Sequence, residues 1–339
     1  MKTINVDGFN VGGKKTFIIA DIGSNHQQNL SLAKESIDAA KESGANAVKF
    51  QSIQLNELYL NPDKQTKSFI KKLEFPEEWH MILSEYCKKK KIIFFSSPTY
   101  LKSINLLEQA KTPLYKIASA QVGTFPQLVD KVASLKKPTI FSTGIATYSD
   151  VINAVKIFQK YNNNQFIILH CNSIYPTPAS MVNLGLMNVY KNMFGNPVGF
   201  SDHTIGTHIS CTAVAMGAKV IEKHFTLDRK LKTPDSNDFA SDPKELLQLV
   251  NQIREIELAT SNFQERTKIQ KEEQEFKTNI TYRLVANKNL LKGKILKNED
   301  FDYLRNLNGI NCIEQINVIG KSVQKNIKKG ELISYEHLS

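Results

Sequence analysis

Two lysines and two histidines stand where their neighbours argue against them. Lys49 lies in NAVKFQ (46–51) and Lys116 in LYKIAS (114–119), both otherwise apolar runs. A lysine in such a run is costly unless an anion meets it. The loops nearby are rich in hydroxyls and glycine: SSP with Ser97, IAS with Ser119, STG with Ser142 and Gly144. Such loops let backbone N–H groups approach a ligand closely, and together with two lysines they suit a phosphate. Taken one at a time, each is better read as a Ser/Gly turn beside a snorkelling lysine, but the set together is not. His203 follows PVGFS (197–201) and Asp202, and His224 closes the run KVIEKHF (219–225). Neutral imidazoles are the commonest ligands of borderline divalent metals, so two of them converging with carboxylates point to a metal site. A lone histidine in such a place more often belongs to the core. With only two firm protein ligands, an ion here keeps open positions for water or substrate, the pattern of a catalytic site.

Further polar groups end the other apolar runs. Asp21 precedes GSNH, in which His26 either lines the same site or only caps a turn. Gln51 shares the face of Lys49 at period two. Gln121 follows Ser119. Asn172 and Tyr175 follow FIILHC (166–171), whose His170 either lines the site or points into the layer below. Glu222 lies on the face of His224, one layer deeper, and reads as a group that orients a ligand or balances a lysine. Lys223 points the other way and reads as an outward charge.

The elements that must position these residues alternate along the chain. Apolar, β-branched runs occur at 17–21, 46–51, 91–96, 114–119, 138–143, 166–171, 197–201 and 219–225, with helical patterns between them and another at 243–260. In LSLAKESIDAAKESG (30–44), Leu30, Ala33, Ile37 and Ala40 recur at helical spacing and Gly44 suits the C-cap. Continuous apolar strands alternating with helices predict a parallel sheet. Eight such repeats over about 250 residues match a TIM (β/α)8 barrel, whose active site gathers at the C-terminal strand ends. A doubly wound open sheet is the alternative, but GSNH rather than GxGxxG follows the first strand. The barrel is expected over 1–262 and a polar linker over 263–279. A small β-rich domain is expected over 280–339, where LLKGKIL and IKKGELI resemble each other and mark Lys-Gly turns.

Composition narrows the partners. The chain has 339 residues and a net charge of +11, which favours anionic ligands. Nucleic acid is set aside because the lysines are scattered, with KKKK at 88–91 the densest run, and no aromatic interleaving accompanies them. The four cysteines, Cys87, Cys171, Cys211 and Cys312, form no CxxC pair and read as free thiols. No apolar run reaches the ~18 residues of a membrane span. The first residues lack the apolar core and cleavage site of a signal peptide, so a cytoplasmic protein is expected.

FIIADIGSNH, GANAVKFQ, LYKIASAQ, TIFSTGIAT, ILHCNSIYPTP, VGFSDHTIG and AKVIEKHFTLD resemble, in order and spacing, the sialic acid synthase family, which makes N-acetylneuraminate and the related legionaminate and pseudaminate. RNLNGI (305–310) and GKSVQKNIKKGE (320–331) resemble its C-terminal antifreeze-like (SAF) domain. The resemblance implies a TIM barrel that condenses phosphoenolpyruvate with an open-chain N-acetylmannosamine-type aldehyde. By position it implies that His203 and His224 bind a metal, Mn2+ in most members, with Mg2+ or Co2+ as alternatives. Lys49, Ser97, Lys116, Ser119, Ser142 and Gly144 fall where the family holds phosphoenolpyruvate. Gln51, Asn172, Tyr175 and Asp235 fall around the sugar. Asp21, Lys49, Lys116, Gln121 and Glu222 are the groups expected at the reacting centre. Arg305 matches an arginine that reaches the N-acetyl group from a partner subunit, implying a domain-swapped homodimer.

The chain departs from the family at three places. Asp21 stands where the family usually has Glu. Gln121 stands where it usually has an acid, and an amide neither takes up a proton nor carries negative charge. TPDSNDFA (233–240) replaces a GPDHKAS-type loop and points to a modified acceptor, such as a 2,4-diacetamido sugar. Two other readings stand beside this one. The first is another phosphoenolpyruvate-dependent 3-deoxy-ulosonate synthase, acting on a phosphorylated aldose. The second is a sugar-binding protein that has lost activity.

Overall fold

The computed structural model describes residues 2–261 and 266–339. The chain forms two compact units, Met1–Asn262 and Phe263–Ser339.

The first unit alternates strand and helix: β1 (Phe17–Gly23), α1 (Leu30–Glu42), β2 (Ala47–Ser52), α2 (Trp79–Lys90), β3 (Ile93–Pro98), α3 (Leu101–Gln109), β4 (Tyr115–Ile117), α4 (Pro126–Ser134), β5 (Thr139–Ser142), α5 (Tyr148–Lys160), β6 (Phe166–Cys171), α6 (Gly185–Phe194), β7 (Val198–Asp202), α7 (His208–Ala215), β8 (Val220–His224) and α8 (Pro243–Ser261). The strands form one parallel sheet in the order β3-β2-β1-β8-β7-β6-β5-β4. The first and last strands in sequence thus pair with each other. The seam between β3 and β4 is bridged by Thr112, whose hydroxyl donates to the Phe94 carbonyl at 3.3 Å. This is a nearly closed TIM barrel.

Local chemistry explains the element ends. The Asn29 side chain accepts from the N–H groups of Ser31 and Leu32 and starts α1. Thr147 and Asp150 form a capping box on α5. Gly44, at φ +89°, turns the chain out of α1. The strand expected over 114–119 is shorter, Tyr115–Ile117, because Ser119 opens a short helix, Ser119–Thr124.

Period two sorts the strand side chains into two faces. One face packs under the helices: Ile18, Ala20, Val48, Phe50, Phe94, Ile117, Phe141, Ile168, Phe200 and Ile221 share a core with α1 to α8. The other face fills the barrel. Its lower layer is apolar, with Phe17, Ile19, Ala47, Phe95, Ile140, Ile167, Leu169 and Val220 packed on Ile4, Val6 and Val11 of an N-terminal hairpin (Ile4–Val6 with Phe9–Val11). Gly199 is required in this face: a Cβ there would lie 2.3 Å from the Val220 carbonyl.

In the second unit, α9 (Lys271–Ile280) precedes β9 (Tyr282–Ala286), which pairs antiparallel with β10 (Phe301–Arg305). Part of the segment expected as a linker is therefore helical, while residues 263–265 lie outside the described ones. The two similar Lys-Gly pieces meet: Leu290 and Ile327 exchange backbone hydrogen bonds at 2.8 Å. Gly293 and Gly330 turn at positive φ. Leu284, Leu290, Leu296, Val318, Val323 and Ile333 form this unit's own core.

Candidate active site

Two residues up each inward face from the apolar layer, the barrel interior becomes polar. Asp21, Lys49, Ser97, Lys116, Ser142, Ser201 and Glu222 all continue the period of the apolar floor, and with His203 and His224 they line a cavity of about 360 Å³ at the C-terminal mouth. A larger cavity, about 670 Å³, opens at the opposite end between the N-terminal hairpin and the ends of α1 and α2. Its Lys41, Lys88 and Lys91 sit at helix C-termini, where cations offset the helix dipole. None of its lining side chains is a buried polar group left without a partner. The mouth cavity, by contrast, holds several, and it is the candidate site.

Its floor is an ion cluster. Lys49 lies 2.6 Å from Asp21 and 3.3 Å from Glu222, and Lys116 lies 3.2 Å from Glu222. All four side chains are buried, so the two cations and two carboxylates balance. Burial opposes charge on Lys49, but Asp21 and Glu222 override it and hold the ammonium above its ordinary range. Burial likewise opposes charge on Glu222, but Lys116 and Lys49, with a 2.8 Å bond from Ser201, hold it well below the usual carboxylate range. Lys116 is pushed down by burial that Glu222 only partly offsets. Asp21 is pushed up by burial, against the pull of Lys49. Second oxygens of both carboxylates, Asp21 Oδ1 and Glu222 Oε2, have no partner among the described residues. The cluster is buried and only partly bonded.

Above it sit the two histidines, ring centroids 5.2 Å apart. His203 donates from Nδ1 to the Asn172 carbonyl at 2.6 Å, which leaves Nε2 with the lone pair. His224 places Nε2 3.6 Å from Asp21, and its Nδ1, 4.0 Å from Asp235, has no hydrogen-bond partner among the described residues. Burial lowers both, His203 to about 3 and His224 to about 4, so both rings are neutral near pH 7. Tyr175 lies on His203 with ring centroids 4.1 Å apart, and Phe239 closes the wall against His224 at 5.2 Å.

The opposite wall carries hydroxyls. Ser97 and Ser142 have buried oxygens with no partner among the described residues, as does Gln121 Oε1. The Gly144 N–H donates to Ser119 at 2.9 Å. A Cβ on Gly144 would lie 2.2 Å from the Ser173 hydroxyl and 2.8 Å from that of Ser119. The lysines, hydroxyls and crowded glycine form a cradle for an anion of phosphate size.

A family model described as the NeuB family matches residues 36–265. The chain belongs to the NeuB family. It is 37% identical over 335 residues to the N,N'-diacetyllegionaminic acid synthase of Campylobacter jejuni, covering 94% of this chain and 99% of that one. It is 35% identical over 346 residues to a pseudaminic acid synthase from the same species, covering 97% and 98%. The crystal structure of N-acetylneuraminic acid synthetase from Leptospira borgpetersenii in complex with citrate superposes with a TM-score of 0.75 at 35% identity, over 81% of this chain and 95% of that one. The family expected from the motifs is the one found.

Within the first unit, this NeuB-family chain does not bring every expected residue into the cavity. The Asn172 side chain donates to the Met181 carbonyl at 2.9 Å, and the residue serves the site through its own carbonyl on His203. Arg305 lies on β10 in the second unit, over the Tyr282 ring. His26 packs among Phe50, Phe75 and Trp79, and its Nδ1 accepts from the Gln28 N–H. His170 stacks on Phe200 in the helix layer. Lys223 corrects the expectation of an outward charge: it is buried and paired with Asp202 at 3.0 Å, because the outer face of β8 is covered by helix rather than water. Glu222 balances two lysines, not one. Cys171, Ser173 and Ser201 also line the cavity. Counting back by two from His203, and on by two from Leu169, would have found Ser201 and Cys171.

Proposed function

We propose that the chain is a nonulosonate synthase, which joins C3 of phosphoenolpyruvate to the aldehyde carbon of an N-acetylmannosamine-type sugar. Water supplies the oxygen that replaces phosphate at C2, and phosphate leaves by C–O cleavage. One observation carries this reading: the buried Lys49–Lys116–Glu222–Asp21 cluster lies directly beneath a neutral His203–His224 pair at the mouth of a barrel. Relatives named as synthases of diacetylated and related nine-carbon acid sugars support the product class.

Lys49 and Lys116 hold the anionic donor, with Ser97, Ser119 and Ser142 around the phosphate and the Gly144 N–H orienting the Ser119 hydroxyl to which it donates. Both lysines are already oriented by carboxylates, so little reorganisation accompanies binding. Gln51, Tyr175 and Asp235 face the acceptor. Gln121 orients water at C2 without exchanging a proton, since an amide cannot.

His203 and His224 are the residues that would hold a divalent cation, Mn2+ by the family resemblance, with Mg2+ or Co2+ as substitutes. Their fit rests on two neutral rings and the unpartnered His224 Nδ1. Among the described residues no set of three or more His, Cys, Asp or Glu side chains is placed to hold a metal, so the reading rests on the two histidines. When bound, the cation supplies Lewis-acid polarisation of the sugar aldehyde. The second unit fits the reading as a SAF domain, with Arg305 delivered to the sugar by a second copy in a domain-swapped dimer. Among the described residues no helix is long and apolar enough to cross a membrane.

The test is a panel of N-acetylmannosamine, its 2,4-diacetamido analogues and phosphorylated aldoses, each with phosphoenolpyruvate and Mn2+, scored by released phosphate and product mass. Turnover with an amino sugar supports the proposal. Turnover only with a phosphorylated aldose, or sugar binding without turnover, sinks it.

A further inference from the structure

Most outward-facing residues of the barrel strands are apolar and form the core beneath the helices. The buried polar ones on β2, β3 and β6 are hydroxyls or an imidazole, Ser52 bonded to Ser96 and His80, and His170 to the Val182 carbonyl. At the ends of β7 and β8 the outward pair is instead a carboxylate and an ammonium. Asp202 and Lys223 are ladder partners across the two strands and point outward together, with relative exposures of 0% and 1%. Each is the immediate neighbour of an inward-facing histidine, His203 and His224.

The pair is bonded to the loop that carries His203. Asp202 Oδ2 meets Lys223 at 3.0 Å and accepts from Ser210 of α7 at 2.6 Å, while Oδ1 accepts from the Thr204 N–H at 2.7 Å. Lys223 also donates to the Thr204 carbonyl. The peptide groups on both sides of Thr204, the residue after His203, are therefore tied to the ion pair. From the other side, the His203 carbonyl accepts from the Thr177 N–H at 2.9 Å. The two strands are also locked in register at the level of the two rings. A buried ion pair stabilises a fold no better than apolar side chains of similar size, and no other outward-facing barrel-strand position among the described residues carries a carboxylate or an ammonium. Stability alone does not account for the pair.

We propose that the Asp202–Lys223 pair is the positioning device of the site, holding His203 and His224 from behind so that both imidazoles meet one divalent cation. This rests on the metal reading above. Asp202 and Lys223 touch neither substrate nor ion and act through the backbone of β7, β8 and residues 203–204.

The test uses the full chain carrying both Asp202→Asn and Lys223→Met, which removes the two charges at similar volume. Either single change strands a buried charge and is expected to lower Tm. The double variant is expected to fold with a Tm near that of the parent. In the metal-free parent, the histidine side-chain 1H–15N spectrum should show a slowly exchanging Nδ1–H for His203, held by the Asn172 carbonyl. In the double variant that signal should broaden or vanish. Free Mn2+ measured by electron paramagnetic resonance should report binding weakened about 10- to 100-fold, the usual cost of losing groups that orient metal ligands. An unchanged His203 signal and an Mn2+ affinity within about twofold of the parent would overturn the proposal. Should the double variant not fold, Ser210→Ala, which removes one anchor of Asp202, takes its place, with both measurements read in the same way. A parent protein that takes up no Mn2+ counts against the metal reading instead, and the metal-free spectrum alone then decides the positioning role.

Discussion

The two faces of β7 and β8 carry buried ion pairs of opposite character. Inside, Glu222 shares its charge between Lys49 and Lys116 and keeps one oxygen unpartnered. Outside, Asp202 is saturated by Lys223, Ser210 and the Thr204 N–H. An incompletely bonded cluster beside a cavity is prepared for a ligand, since a buried group without its partner is costly until something meets it. A saturated cluster under a helix offers nothing to a ligand and holds geometry. Burial and charge are alike on both faces, and what separates function from framework is which bonds remain open.

The contrast is broken most severely at Glu222. Glu222→Gln leaves Lys49 and Lys116 without their shared counter-charge, and removing one partner of a buried pair costs about 3–5 kcal/mol. Urea unfolding should show that loss, with phosphate release abolished alongside it. His203→Ala should cost chemistry more than stability. Its ring lines the cavity, so only its packing on Tyr175 and its bond to the Asn172 carbonyl are lost, and the unfolding midpoint should fall less than in Glu222→Gln. Turnover should fall about 10²–10³-fold, the scale of losing one electrostatic stabiliser, measured as phosphate release with an accepted amino sugar. Full activity in this variant would remove His203 from the site.

A smaller effect tests the outer layer. Burial lowers His26 to about 4, against 6.5 for the free side chain. The unfolded chain therefore takes the proton first as pH falls. The stability His26 allows is complete above about 6.5, declines through the window down to about 4, and is lost below it, a span of about 3 kcal/mol. His26→Leu should flatten the dependence of urea stability on pH in that window by about this amount. An unchanged slope would mean that His26 titrates normally in the folded protein.

Much of this was legible in the chain. Lys49 and Lys116 stood out because a cation in an apolar strand needs an anion, and His203 and His224 because two imidazoles closed successive runs. The parity that sends Glu222 inward and Lys223 outward was also legible. Other features were not. That Glu222 lies between both lysines depends on β8 pairing with β1, which brings the last strand beside the first. That Gly144 forms a cradle with Ser119 and Ser173 depends on loops from three strands.

Local periodicity and ordered motifs are enough to settle the alternation of strand and helix, the inward or outward sense of each strand residue, and the family. They are not enough to settle which charges meet and how completely. Lys223 shows why: one residue's parity says which way it points, but whether water, helix or Asp202 waits there depends on barrel closure and inter-strand register, which no local stretch of chain encodes.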